Sequence, residues 1–270
     1  MPELPEVQTI VNELSQTIIG RIIKSCEIKR DSVIDRSSTD FRRAIRNCKF
    51  TSISRKGKYL IFQFDKPLWM IVHLRMTGKF ILVADHQENR YGRVIFKLDN
   101  GLQMIFHDVR CFGTIELSSD IDKHKKLFSL GCDPWDKALT PESLAIKLRH
   151  RKASVKSILL NQSIIAGLGN IYASEILFDA KIDPTRVVTK LTLSQLKQLI
   201  KSTKKILASA LKNNGTTISD YRRVDDKQGT FQNFLKVYGK QGEPCQTCKT
   251  PIQKIKQNQR STFFCKICQR

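Results

Sequence analysis

No apolar run in this 270-residue chain approaches the ~20 residues that a membrane-spanning helix needs, the longest being stretches such as Leu68-Trp69-Met70-Ile71-Val72. The opening residues are acidic and carry no apolar signal segment, which argues against secretion and for a cytoplasmic protein. No internal repeat or low-complexity tract is evident, so solenoid and wholly disordered architectures are excluded. Acids are also scarce: 25 Asp and Glu face 47 Lys and Arg, a net charge of +22, and the simplest partner for such a field is a polyanion. What is present, 40% hydrophobic residues over this length, suffices for two domains with sizeable cores plus a small module.

The eight cysteines are of two kinds. Cys26, Cys48, Cys111 and Cys132 are scattered, and in a reducing compartment they read as small buried or neutral residues. The others form Cys245-x-x-Cys248 and, after a sixteen-residue spacer, Cys265-x-x-Cys268. Each pair suits one tight knuckle, and the spacer suits a hairpin, which is the spacing of a zinc ribbon. Four thiolates close the tetrahedron, so one structural Zn2+ is expected, with no open position for water or substrate. Residues 240–270 hold seven Lys or Arg and one acid, Glu243, so this hairpin can present cations to phosphate; alone, it also fits a protein-interaction ribbon.

Along the chain, Val7, Ile10, Val11, Leu14 and Ile18 recur at helical spacing and Gly20 closes the pattern. From Arg21 to about Leu117 the reading is β, in runs such as 59–64, 68–74, 79–83 and 93–98, with Asp99-Asn100-Gly101 as a hairpin signal and a short helix near 39–46. This predicts an α+β protein whose N-terminal β-sandwich, residues 1–118, carries a packed helix. Residues 119–139 read as a connector. Thr140-Pro141-Glu142 opens a helical region with a capping threonine and a first-turn proline, and residues 140–240 form the second domain. Within it, Ile165-Ala166-Gly167-Leu168-Gly169-Asn170 reads as a tight turn between helices, with Asn170 the N-cap of the second and the turn a seat for phosphate. Residues 241–270 form the ribbon.

Several chemistry-bearing residues occur along this frame. Removal of the initiator methionine would leave Pro2 with a free secondary amine, which titrates near ~8 and forms a charged iminium with a sugar carbon. Glu3 beside it is a proton-transfer group. Lys58 stands at a strand entrance, and Met76, Arg110 and Phe112 near strand ends, where apolar wedges beside an arginine could fill the hole left by an extruded base. Residues 146–160 carry Lys147, Arg149, Arg151, Lys152 and Lys156 with no acid, a helix surface suited to phosphate.

Taken together, Met1 to Val7, Lys56 to Leu60, Gly167 to Tyr172, and the ribbon with Arg260-Ser261-Thr262 resemble the bacterial formamidopyrimidine-DNA glycosylases over nearly the whole chain. The resemblance implies a β-sandwich, a helix-two-turns-helix domain and a zinc hairpin, acting on double-stranded DNA that contains oxidised bases or abasic sites. It implies that Pro2 attacks the deoxyribose C1′ and displaces an oxidised purine, that Glu3 transfers protons, and that Lys58 and Arg260 act in β- and δ-elimination. It further implies DNA contacts at Met76, Tyr91, Arg110, Phe112, Arg151, Lys156 and Asn170, and a loop at about 216–232 that closes on the flipped base and is mobile without DNA. A monomer is expected. Three positions depart from the family pattern: Tyr91 stands for a histidine, Cys111 for a basic residue, and Gln259 for the glycine before the ribbon arginine. The rivals are the related endonuclease-eight branch, against which Leu4 argues, a non-catalytic DNA-binding module, and a zinc-ribbon translation factor.

Overall fold

The structure is a computed structural model that describes residues 1–84, 89–218, 221–224 and 227–270. The chain divides into two units: one of residues 1–128 with 213–232, the other of residues 129–212 with 233–270. These units cut across the segments read from sequence, because residues 213–232 return to the first.

That first unit begins with α1 (Leu4–Ile18), β1 (Ile23–Ile28) and α2 (Ser38–Ile45), followed by β2 (Phe50–Lys56), β3 (Tyr59–Phe64), β4 (Trp69–His73), β5 (Lys79–Ala84), β6 (Gly92–Leu98), β7 (Leu102–His107), β8 (Thr114–Ser118) and the single turn α3 (Lys125–Phe128). The strands form two four-stranded antiparallel sheets, ordered β1-β6-β7-β5 and β2-β3-β4-β8. Alternating apolar residues supply their common core. Phe62 of one sheet meets Phe80 of the other at 5.4 Å between ring centroids, and Phe80 meets Phe106 at 5.5 Å. Each such pair contributes about 0.5–1.5 kcal/mol beyond its burial. The apolar stripe of α1 closes this core, with Val7, Leu14 and Ile18 fully buried. Cys26 and Cys48 also lie in it, and burial pushes the Cys26 thiol up to about 12.

Two carboxylates of α1 bring residues 213–232 to this unit. Glu6 accepts from the Thr216 amide at 2.7 Å, and Glu13 from the Val224 amide at 2.9 Å and from the Arg223 guanidinium. Tyr221 and Val224 then enter the core. Of the expected 216–232 loop, residues 219–220 and 225–226 lie outside the described residues.

In the second unit are α4 (Pro141–Leu148), α5 (Val155–Leu160), α6 (Asn170–Asp179), α7 (Leu193–Lys212) and the hairpin of β9 (Gln253–Gln257) and β10 (Arg260–Phe264). Thr140 caps α4 as its sequence indicates, its hydroxyl accepting from the Ser143 amide at 3.1 Å. Two local readings differ. The cationic stretch 146–160 is not one helix: the chain breaks after Leu148, and Ser154 caps a new helix whose changed phase turns Lys156 inward. Gly169, not Asn170, is the N-cap of α6, since its extended backbone precedes the first helical residue and leaves the Asn170 side chain for another task. The buried Glu175 of α6 accepts three amides, from Lys236, Val237 and Tyr238 at 2.8–2.9 Å, and so fixes the approach to the ribbon. Burial raises its pKa, and the three N–H donors oppose that rise. Among the described residues no helix is long and apolar enough to cross a membrane.

Gly215 has φ +79° and a Cβ there would stand 2.7 Å from Glu6 Oε1. Gly215→Ala should therefore cost about 1–3 kcal/mol, from the left-handed backbone and the displaced carboxylate. A urea midpoint equal to that of the native chain would contradict the close approach.

Candidate functional site

The N-terminal turn of the first unit is buried and hydrogen-bonded. Pro2 is buried one residue before Glu3, the N-cap of α1, which is 3% exposed. The Glu3 amide donates to Glu6 Oε2 at 2.7 Å, so the carboxylate that holds Thr216 also fixes the turn that carries Pro2. A helix start is a suitable place for Glu3 and Glu6, because the unsatisfied N–H groups favour negative charge there.

Lys58 follows Gly57, whose φ of +57° makes the β2–β3 turn, and is only 6% exposed. Its neighbour His73, in the stretch His73-Leu74-Arg75-Met76-Thr77-Gly78 that also holds Met76, is a candidate functional residue that the sequence pattern does not single out. His73 pairs in register with Tyr59, the residue after Lys58, and the two rings meet edge-on at 4.6 Å. Its Nδ1 accepts from the Arg75 amide at 3.0 Å, which requires an unprotonated Nδ1 and places the ring hydrogen on Nε2. Burial, then Arg75, Lys58 and Lys126, lower its pKa to about 3. The ring is thus a neutral N–H donor amid cations.

At one end of the sandwich, Met76 and Phe112 are 39% and 53% exposed, and the Arg110 guanidinium lies over the Phe112 ring at 4.7 Å. These large apolar groups stand at the surface on the two loops that cross between the sheets, β4 to β5 and β7 to β8. Cys111 between Arg110 and Phe112 is half-buried with φ +55°. Tyr91 is half-buried, edge-on to His107 at 5.6 Å, with Arg90 and Arg93 over its ring at 5.5 and 5.6 Å.

The second unit gathers another set. Lys156, 1% exposed, donates from Nζ to the Ser261 carbonyl at 2.8 Å and the Thr262 hydroxyl at 2.7 Å. Asn170 donates from Nδ2 to the same Ser261 carbonyl at 3.0 Å. Lys156 is therefore no surface cation here; both residues brace the strand that begins with the exposed Arg260. Asn258 and Gln259 join the strands with φ +47° and +61°, so Gln259 occupies a left-handed position that costs a non-glycine residue about 1 kcal/mol. Asn258 Nδ2 ties that turn to the Ser157 hydroxyl at 2.7 Å. Arg151 is exposed, its Nε donating to the Lys147 carbonyl at 3.2 Å.

The sulfurs of Cys245, Cys248, Cys265 and Cys268 all lie within 4.8 Å of one another, with pairs at 3.3 and 3.9 Å. Zinc–sulfur bonds of about 2.3 Å put tetrahedral sulfurs about 3.8 Å apart, so the donor set fits one structural Zn2+. The β9–β10 hairpin and Ile252, Phe263 and Val237 pack around it.

Two measurements check these sites. Between pH 6.5 and about 3 the unfolded chain binds a proton at His73 that the folded chain refuses, so this residue makes stability fall with acid. His73→Gln should flatten that part of the urea-midpoint profile between pH 7 and 4.5; an unaltered difference would reject the neutral buried ring. Purified protein should release one zinc per chain on thiol titration, with melting of residues 241–270, since ribbon zinc supplies on the order of 10 kcal/mol; metal-free protein with an intact ribbon would refute a structural ion.

Family profiles match three stretches of the chain: the formamidopyrimidine-DNA glycosylase N-terminal domain at residues 1–115, the formamidopyrimidine-DNA glycosylase H2TH domain at 130–222, and the zinc finger found in FPG and IleRS at 242–270. The formamidopyrimidine-DNA glycosylase of Rickettsia africae is 40% identical over 271 residues, covering 100% of this chain and 99% of that one. A Lactococcus lactis FPG mutant in complex with Fapy-dG-containing DNA superposes with a TM-score of 0.93 at 37% identity, with 100% of both chains covered. The wild-type Lactococcus lactis protein bound to oxidised-pyrimidine-containing DNA gives a TM-score of 0.93 at 36% identity, again with 100% of both chains covered. The chain accordingly belongs to the formamidopyrimidine-DNA glycosylase family.

Proposed function

We propose that this chain is a cytoplasmic base-excision repair enzyme that removes oxidised purines, 8-oxoguanine and formamidopyrimidines, from duplex DNA and then cuts the strand at the abasic site. The observation that carries this reading is the N-terminal turn. A proline whose backbone nitrogen becomes a free secondary amine once Met1 is removed sits buried and fixed by Glu6, beside the buried carboxyl of Glu3.

In this reading the Pro2 nitrogen attacks C1′ of the damaged nucleoside. The glycosidic bond breaks, the base leaves with the bonding pair and takes up a proton, and the sugar ring opens to an iminium as Glu3 transfers the proton at the sugar. Loss of a C2′ proton then expels the 3′-phosphate, a step assigned to Lys58, and a second elimination at Arg260 expels the 5′-phosphate. His73 keeps a neutral donor next to Lys58 and adds no further positive charge there. Met76, Arg110 and Phe112 fill the vacated stack. Tyr91, Arg151, Lys156 and Asn170 are assigned to the DNA backbone, and Lys156 and Asn170 also hold the hairpin that presents Arg260, through the Ser261 carbonyl.

A wider lesion range has specific support, since one aligned relative holds an oxidised pyrimidine. The test is borohydride trapping on duplexes bearing 8-oxoguanine opposite cytosine or an oxidised pyrimidine. The native terminus should trap covalently, and a form with extra residues ahead of Pro2 should lose at least ~10³-fold. Trapping only on the pyrimidine duplex would favour the endonuclease-eight reading, and binding without trapping on either would reduce the chain to a DNA-binding relative.

A further inference from the structure

We infer that Asp108 is the positioning residue that sets the stack-filling loops, an inference that rests on the wedge role proposed for Met76, Arg110 and Phe112. Asp108 is fully buried at the end of β7, where the chain leaves one sheet for the other. Its Oδ1 accepts from the Thr77 hydroxyl and from the Arg110 amide at 3.2 Å, and its Oδ2 from the Gly113 amide at 2.8 Å. Thr77 Oγ1 accepts from the same Arg110 amide at 3.1 Å. A single carboxylate therefore joins the Met76-Thr77 turn to both ends of the Arg110–Phe112 loop.

The surroundings leave this carboxylate little freedom. Its own amide donates to the Tyr91 carbonyl at 3.0 Å, and its carbonyl accepts from Arg93 Nε at 2.6 Å. A Cβ on Gly113 would meet Phe106 Cζ at 2.5 Å and Asp108 Oδ2 at 3.1 Å, so only glycine lets the amide approach. Cys111 is held in the left-handed region, a conformation that persists where neighbouring bonds over-determine it. Between these bonds, Arg110 and Phe112 project to the surface as a stacked pair. Groups that must enter a base stack together need a fixed spacing, and two separate crossover loops do not supply one unaided. Asp108 touches neither the sugar nor the reacting atoms in this assignment; it acts through the wedge.

The assignment makes duplex processing sensitive to Asp108 and single-strand processing insensitive, because a single strand has no stack to open. The experiment compares cleavage of one abasic site in duplex and in single-stranded oligonucleotide by the native chain, Asp108→Asn and Thr77→Val. Asparagine keeps the shape but turns an N–H donor toward one of the donors that the carboxylate accepts; valine keeps the shape of threonine and removes the bridging hydroxyl. The duplex-to-single-strand rate ratio should fall about tenfold in Asp108→Asn, and less in the same direction in Thr77→Val. A 2-aminopurine beside a tetrahydrofuran site should brighten less with either variant than with the native chain. An unchanged ratio, or equal losses on both substrates, overturns the assignment; should Asp108→Asn not fold, Thr77→Val decides by the same ratio. Borohydride trapping of the native chain on the duplex runs in the same assay. If that fails, the repair reading itself is at fault, whereas trapping with unchanged variants removes only the role of Asp108.

Discussion

One buried carboxylate, Glu6, fixes the working end of the first unit. One oxygen accepts the Glu3 amide three residues back and the other accepts the Thr216 amide 210 residues on. Burying a charged group costs several kcal/mol unless every lone pair finds a donor, so such a group tolerates very few arrangements of its neighbours. The requirement propagates. Gly215 has to be glycine for the backbone to reach the carboxylate, and α1 has to present the second carboxylate, Glu13, two turns further along the same face to catch Val224. The turn with the proposed nucleophile and the segment that returns to it are thus set by the same two oxygens.

Comparable buried polar clamps occur at other loops. Glu175 gathers three amides ahead of the ribbon, Lys156 and Asn170 converge on one carbonyl beneath Arg260, and Asp108 ties two crossovers together. Each is a buried or half-buried polar group that hydrogen-bonds a backbone group of a neighbouring loop, and such bonds hold a loop in one arrangement. The protein carries a large excess of positive charge. Yet Lys58 and Lys156 are buried, while Arg110, Arg151 and Arg260 are exposed.

Much of this was visible in the chain itself. The branched and aromatic runs 59–64 and 93–98, the Asp99-Asn100-Gly101 turn and the Thr140-Pro141 helix start depend on neighbours within a few residues, and each appears where the pattern puts it. The metal site was legible for a related reason, since two Cys-x-x-Cys knuckles are locally sufficient to hold half a tetrahedron each. Reading failed where a side chain answers to a distant partner. Lys156 looks like one more cation on a basic helix until Ser154 restarts that helix and Ser261 receives its ammonium, 105 residues on. Asn170 looks like an N-cap until the Ser261 carbonyl claims its amide. His73 is one more strand residue until burial, with Arg75 and Lys58 beside it, makes it a neutral donor.

The sequence by itself therefore determined the element types, the zinc knuckles, the family and the residue types available for chemistry, because these follow from local backbone preference and short fixed spacings. Only the tertiary structure decided which of the charged residues are surface cations and which are internal braces, and which loops are locked to one another. Those outcomes depend on desolvation and on hydrogen bonds between residues 31 to 210 positions apart, and no local pattern encodes where a buried charge will find its donors.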